Sequence, residues 1–390
     1  MDSTRAKLDK FLMRKSNREL IFSIIHRKGS ISRVQIAKLT NMSLMSVGRI
    51  ADELVNLGIV VEEESSDLTA ALGRRPKLLR VATNNFLSVG VEIGRDGISA
   101  GIINLQGKVL KKIERNENQS NASPEDVLQN VSGLINQIRT ENKDLPILSA
   151  VGVACPGLID KGVIRFSSQM KWRDVHAVEI LRKLTGIDDI IIDNEVKAHG
   201  IAEDMFGLGK DYSRSAVLTM GSGIGSSIII DHKLYRGKLN MAGEIGHICI
   251  NPSGNMCECG KRGCLQTYMA DWAILREART VQEDITLDGV FAAYNEGKTW
   301  AVNLVERVIE YLSITISILA NTYSPDIIIL CGRLLEEYDV FRDLILEHYK
   351  DEISDYMQDS LEVKVSKLGS NGMIVGAGTL AYYNVLEKIM

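Results

Sequence analysis

Apolar positions in the first eighty residues recur at helical spacing and then switch to alternation. Leu20, Ile21, Ile24 and Ile25 mark one face of a helix over 17–27. Ser30 and Ile31 read as a turn, and Ser32-x-x-Gln35 is a capping box that opens a short second helix ending at Leu39. Thr40, Asn41 and Met42 form a tight turn. Ser43 caps a third helix whose buried face is Val47, Ile50, Leu54 and Leu57 and whose stop is Gly58. Two alternating runs, 59–63 and 78–81, flank a polar tip at 65–73 as the strands of a wing. Helix, helix, tight turn, helix and wing make a winged helix-turn-helix.

Beyond residue 82, strand and helix patterns alternate. Strands are predicted at 86–93, 97–103 and 109–113, then a helix at 125–140, a strand at 147–153, a helix at 177–184, a strand at 190–192 and a helix at 198–205. A second strand group at 215–220, 226–230 and 233–235 precedes a long helix at 302–321, a strand at 327–331 and a closing helix at 376–386. A strand triplet followed by mixed elements, seen twice, predicts a two-lobed α/β fold with a cleft between the lobes. The expected boundaries are 1–82 for the winged helix-turn-helix, 83–200 for the first lobe and 201–375 for the second, with a C-terminal helix at about 376–390 returning to the first lobe.

Charge changes this picture because it is uneven. The net charge is −4, yet residues 1–80 hold 15 Lys/Arg against 9 Asp/Glu, which is +6 and leaves −10 for 81–390. A basic head on an acidic body points to nucleic acid. A solvated helical face would carry the same charge; capping, turn and periodicity together decide for DNA. The third helix then enters the major groove and presents Ser43, Leu44, Met45, Ser46, Gly48 and Arg49. Arg74, Arg75 and Lys77, beside Pro76, suit a narrow minor groove, a basic linker being the plainer account. No apolar run nears the ~18 residues of a membrane span, and the charged N-terminus lacks a signal peptide's apolar core. The expectation is a cytoplasmic protein with no membrane insertion.

Candidate chemistry centres on 243–266, GEIGHICINPSGNMCECGKRGCLQ. His247, Cys257, Cys259 and Cys264, set among turn residues, suit a tetrahedral zinc knuckle, with a loop of unliganded thiols as the alternative. A Cys3His set leaves no position for water, so the zinc would be structural. Cys155 and Cys331 stand alone in apolar runs, which argues against a disulfide framework and for a reducing compartment. Glu244 lies three residues before His247, close enough for one loop to hold both over a cleft.

GEIGH, C-x-C-G-x-x-G-C-L, PGLID at 156–160 and GSGIG at 221–225, behind a winged helix, resemble the ROK family of repressors, sugar kinases and their relatives. The resemblance runs from about 17 to 386, and the winged helix ending in GRRP is similar to the xylose-type and N-acetylglucosamine-type repressor branch. It implies an actin-like (ribonuclease H-like) core, a structural zinc and a sugar site in the cleft. It also implies homodimers or homotetramers whose paired heads read a palindromic operator DNA.

The family's kinases set a chemical test. Their catalytic aspartate falls in an N-D motif, here Asn194-Glu195, and the extra methylene moves the carboxylate by roughly 1 Å, enough to cost ~10²-fold. Their first phosphate loop, D-x-G-G-T, reads Glu92-Ile93-Gly94-Arg95-Asp96, where Asp96 repels an anion. Cys331-Gly332-Arg333 stands where the kinases usually place two glycines, while the second loop, 221–225, is intact. The expectation is therefore not an enzyme. The sugar contacts implied by the resemblance are Gly157, Gln169, Asn194, Glu195, Glu244, His247 and Gln266. Gln169, Glu195 and Gln266 replace the family's Asn, Asp and Glu, which suggests a pocket retuned for an unusual or acidic sugar, or a decayed one. The expected function is a sugar-responsive repressor of carbohydrate uptake or catabolism genes, released from its operator by the sugar. A sugar kinase with an appended DNA-binding head and a repressor governed by a protein partner are the rivals.

Overall fold

Three helices and a small sheet build the head. The computed structural model describes residues 2–64, 77–119 and 122–389, so Arg74, Arg75 and the wing tip lie outside the described residues. Helix α1 (Asp2–Lys28) starts well before residue 17. Its early turns are rich in Lys, Arg, Ala and Leu, good helix formers, without the apolar periodicity that marks the later ones. Ile31, read as part of a turn with Ser30, instead forms strand β1 (Ile31–Ser32) with the capping Ser32, and lies opposite Leu79. Helix α2 (Arg33–Thr40) opens on the reciprocal Ser32–Gln35 capping box and closes on Asn41 in the left-handed conformation, φ 54°. Helix α3 (Leu44–Asn56) is capped by Ser43, whose Oγ accepts from the Ser46 N–H at 3.1 Å. Its Val47, Ile50, Ala51 and Leu54 are buried against α1 and the antiparallel pair β2 (Val60–Glu64) and β3 (Lys77–Val81).

The first lobe follows as β4 (Leu87–Ile93), β5 (Ile98–Asn104), β6 (Val109–Arg115), α4 (Pro124–Glu141), β7 (Ile147–Cys155), β8 (Leu158–Asp160), β9 (Val163–Ser167), β10 (Trp172–Val175), α5 (Ala177–Thr185), β11 (Asp189–Asn194) and α6 (Glu195–Met205). The second comprises β12 (Arg214–Met220), β13 (Ile224–Ile230), β14 (Lys233–Leu234), α7 (Gln266–Met269), α8 (Asp271–Ala278), α9 (Leu287–Asn295), α10 (Thr299–Tyr323), β15 (Ile327–Cys331), α11 (Arg333–Glu337), α12 (Asp339–His348), α13 (Asp355–Gln358) and β16 (Glu362–Val365). Helix α14 (Gly372–Ile389) closes the chain.

The two five-stranded sheets repeat one topology. In order β11-β7-β4-β5-β6, the first three strands are parallel and the rest antiparallel; β16-β15-β12-β13-β14 does the same. The doubled strand triplet in the sequence is this repeat. Val89, Val91 and Val153 face α4 and α5, while α14 lies on the opposite face almost backbone to backbone. A Cβ on Gly152 would sit 1.7 Å from the Ala377 carbonyl oxygen, and one on Gly376 would sit 1.8 Å from that of Ala198 in α6. Only glycine permits those approaches. The far end of α14 carries Tyr382 and Leu386 into the head, where they pack with Phe22, Ile25, Val47 and Leu105.

Candidate functional site

Strand β11 ends at the cleft floor, and its last residue starts a helix. Asn194 Oδ1 accepts from the backbone N–H groups of Val196 (3.0 Å) and Lys197 (3.2 Å), capping α6. Its Nδ2 donates to the Gly157 carbonyl at 3.2 Å and to Glu195 Oε2 at 2.7 Å. One side chain thus ties the β11–α6 junction to the loop after β7. Burial pushes the Glu195 carboxyl up to about 8, and the nearby Glu244 and Glu92 carboxylates add to it. Burial likewise lifts Glu92, at the end of β4, to about 7. Lys197 is buried beneath them, with its Nζ donating to the Asn240 carbonyl and lying 3.8 Å from Glu244.

The cleft has a volume of about 720 Å³, and Gly157, Gln169, Asn194, Glu195, Glu244, His247 and Gln266 all line it. The three residues that depart from the family pattern do distinct things. Glu195 stands at the cap just described. Gln169 reaches across the cleft, where Ser222 Oγ donates to its Oε1 at 3.2 Å. Gln266 is buried and donates from Nε2 to Cys257 Sγ at 3.3 Å. A second bridge crosses the same opening: Arg95, in the altered phosphate loop, pairs at 2.6 Å with Glu258 between the knuckle cysteines.

Sequence reasoning missed Glu92 as a lining carboxyl, Lys197 and the Arg95–Glu258 bridge. The cap signal of Asn194 was the available clue. It sets the helix start at 195, not 198, and brings Lys197 into the first turn beside the cleft.

The metal-ligand candidates converge. His247 Nδ1 and the sulfurs of Cys257, Cys259 and Cys264 lie within 4.8 Å of one another. The Cys259–Cys264 sulfur separation is 3.7 Å, as is His247 Nδ1 to Cys257 Sγ. Zinc–sulfur bonds of ~2.3 Å at tetrahedral angles place sulfurs about 3.8 Å apart, so the four residues fit that ion. Burial pushes the Cys264 thiol up to about 12, and its neighbouring thiols add to the shift. A divalent cation among them reverses that preference. The cluster can hold a metal ion.

In the head, Ser43 and Ser46 share the cap of α3, Arg49 is exposed, and Lys77 pairs with Glu62 at 2.8 Å. Leu44 and Met45 project from the first turn, 53% and 86% exposed. The head meets the core through His26, beside the Leu105 carbonyl, and through Arg27, 3.2 Å from Asp204 at the end of α6. Asp204 also accepts from or pairs with His232 of the second lobe at 2.8 Å.

The family model of the ROK family matches residues 88–383. The chain belongs to the ROK family. The xylose repressor of Bacillus spizizenii is 26% identical over 383 residues, covering 98% of both chains. The DNA-binding transcriptional dual regulator NagC of Escherichia coli is 28% identical over 97% of this chain and 95% of its own. Among solved structures, a ROK family transcriptional regulator, a homolog of the Escherichia coli MLC protein, aligns with a TM-score of 0.79 at 22% identity, covering 97% of this chain and 98% of that one. A ROK family glucokinase from Streptomyces griseus, in complex with glucose and AMPPNP, aligns with a TM-score of 0.69 at 24% identity, over 76% of this chain and 99% of that one. The fold of this ROK protein is thus shared by regulators and kinases, while the full-length repressors match it head included. Among the described residues no helix is long and apolar enough to cross a membrane.

Proposed function

We propose that this ROK protein is a sugar-responsive transcriptional repressor, released from operator DNA when a sugar enters the cleft. The observation that carries the reading is the bridged phosphate loop. Arg95 occupies the position where a kinase needs backbone open to phosphate, and it is tied across the cleft to Glu258. A carboxyl held near 8 at Glu195 is mostly protonated at neutral pH. It donates as well as accepts a hydrogen bond, which suits a sugar hydroxyl. The bridged loop favours binding over phosphoryl transfer.

Gly157, Gln169, Asn194, Glu195, Glu244, His247 and Gln266 form the effector site in this reading. The lining carboxyls of Glu92, Glu195 and Glu244 favour a neutral sugar over the acidic one that Gln266 alone suggests. His247, Cys257, Cys259 and Cys264 hold a structural zinc, which supplies a fixed cross-link for a loop of turns. Through His247 Nδ1 that loop orients the imidazole at the cleft, and Glu244 follows because it is three residues away. Ser43, Leu44, Met45, Ser46, Gly48, Arg49, Arg74, Arg75 and Lys77 form the DNA surface, and a cytoplasmic homodimer or homotetramer pairs two heads on a palindrome.

The test is calorimetric titration with a panel of neutral sugars and sugar phosphates, with and without Mg-ATP, followed by operator-binding assays with any ligand found. One sugar that binds independently of ATP and weakens operator binding is the expected result. ATP turnover on a sugar would establish the kinase reading, and operator release by a protein with no sugar response would establish the partner-controlled one.

A further inference from the structure

The first turn of α3 presents a surface that is apolar where DNA-reading helices commonly carry polar side chains. Leu44 and Met45 are 53% and 86% exposed, although the same helix buries Val47, Ile50, Ala51 and Leu54 in the head. The hydroxyls and the carbonyl nearest them are already engaged, and the exposed Arg49 lies beyond the first turn. The Ser43 hydroxyl accepts from the Ser46 N–H at 3.1 Å and lies 2.9 Å from the Ser46 hydroxyl. Gly48 has no side chain, and its carbonyl accepts from Arg33 at 3.3 Å. The Arg33 guanidinium is in turn held by Asp52 at 2.8 Å and Glu62 at 3.1 Å. Arg49 is the one basic residue in the helix, and the acidic Asp52 and Glu53 lie toward its other end. That acidic end is disfavoured beside phosphates, so the helix enters a groove by its N-terminus.

The chemistry of the groove then selects the partner group. Guanine and adenine offer acceptors and a donor that call for Arg, Lys, Asn or Gln, none of which stands in the first turn. Among the major-groove edges of the four bases, the apolar group is the thymine 5-methyl. We propose that Leu44 and Met45 read thymine methyl groups, so that each operator half-site carries thymine under the first turn of α3. This deepens the proposed DNA-binding reading and rests on it.

The experiment begins with selection of a preferred duplex from a random library by the full-length protein. Its affinity is then measured by fluorescence anisotropy with each thymine replaced, one at a time, by deoxyuridine, which removes the methyl and nothing else. At the thymines under α3 the affinity should fall about threefold to fivefold, the effect of one lost buried methyl. Met45→Ala and Leu44→Ala should each abolish the thymine–uracil difference at one position, and Met45→Leu should keep it. The salt dependence of binding should stay unchanged, because phosphate contacts are untouched. Equal affinity for thymine and uracil at every position would overturn the proposal. So would discrimination that survives both alanine variants, or a Met45→Ala variant that changes oligomeric state instead, since this face would then cover a second copy. If selection yields no preferred duplex, the repressor reading falls as well; uniform uracil tolerance on a selected duplex removes the methyl readout alone.

Discussion

Gln266 carries an amide where the family places a carboxylate, and its Nε2–H points at a cysteine sulfur. Donation to Cys257 Sγ at 3.3 Å stabilises negative charge on that sulfur, whereas a carboxylate there would oppose it. Gln266→Glu should weaken metal retention by about 10–100-fold, measured by competition with a chromophoric chelator. Unchanged retention would make the contact incidental. Glu195 gives a second expectation, in pH. Its folded carboxyl takes up a proton near 8 and the unfolded one near 4.5, so its contribution to stability falls as pH rises between those values. Glu195→Gln should therefore raise the melting temperature relative to the parent by about a few degrees more at pH 8 than at pH 5. Equal shifts at both pH values would show that the carboxyl titrates normally. The sequence marked Gln169, Glu195, Gln266 and Arg95 as departures, because the kinase chemistry dictates other side chains there. It could not say what they do instead. Their partners are distant in sequence: Ser222 lies 53 positions from Gln169, and Glu258 lies 163 from Arg95.

At the scale of elements, legibility followed local physics. The Ser32–Gln35 box, the left-handed Asn41 and the Ser43 cap are contacts within four residues, so sequence sufficed to place α2 and α3. The long apolar strands of both sheets were readable for the same reason. Strands β8, β9 and β10 were not, since they are only three to five residues long and their turns rest on positive φ at Lys161, Gly162 and Lys171. The closing helix was expected on the first lobe, but the close backbone approach of α14 was hidden, because it depends on missing side chains. Gly376→Ala drives a methyl into the Ala198 carbonyl and should separate α14 from α6, at a cost of about 1–3 kcal/mol in urea unfolding. A neutral effect would mean that the two backbones part easily.

For the whole molecule, α6 is the element that meets every part. It begins at the cleft with Asn194 and Glu195, touches α14 at Ala198 and β13 at Gly200, and ends at Asp204 between Arg27 of the head and His232 of the second lobe. Its 11 residues span about 16 Å, at 1.5 Å each. On the proposed reading, α6 is the route by which cleft closure reaches the head. Asp204→Asn should leave sugar and operator affinities measurable but shrink the coupling between them by about 0.5–2 kcal/mol. Operator titrations with and without sugar read that difference, and full coupling in the variant would move the route elsewhere. Tyr382 and Leu386 complete the core of the head, yet about 300 residues separate them from its last strand. At ~5–20 residues per second, a ribosome takes about 15–60 s to cover that interval. Throughout it the nascent α3 rests on an unfinished core. On the proposed reading, a chain released early lacks a finished reading head, and operator occupancy is reserved for molecules whose cleft has already been made.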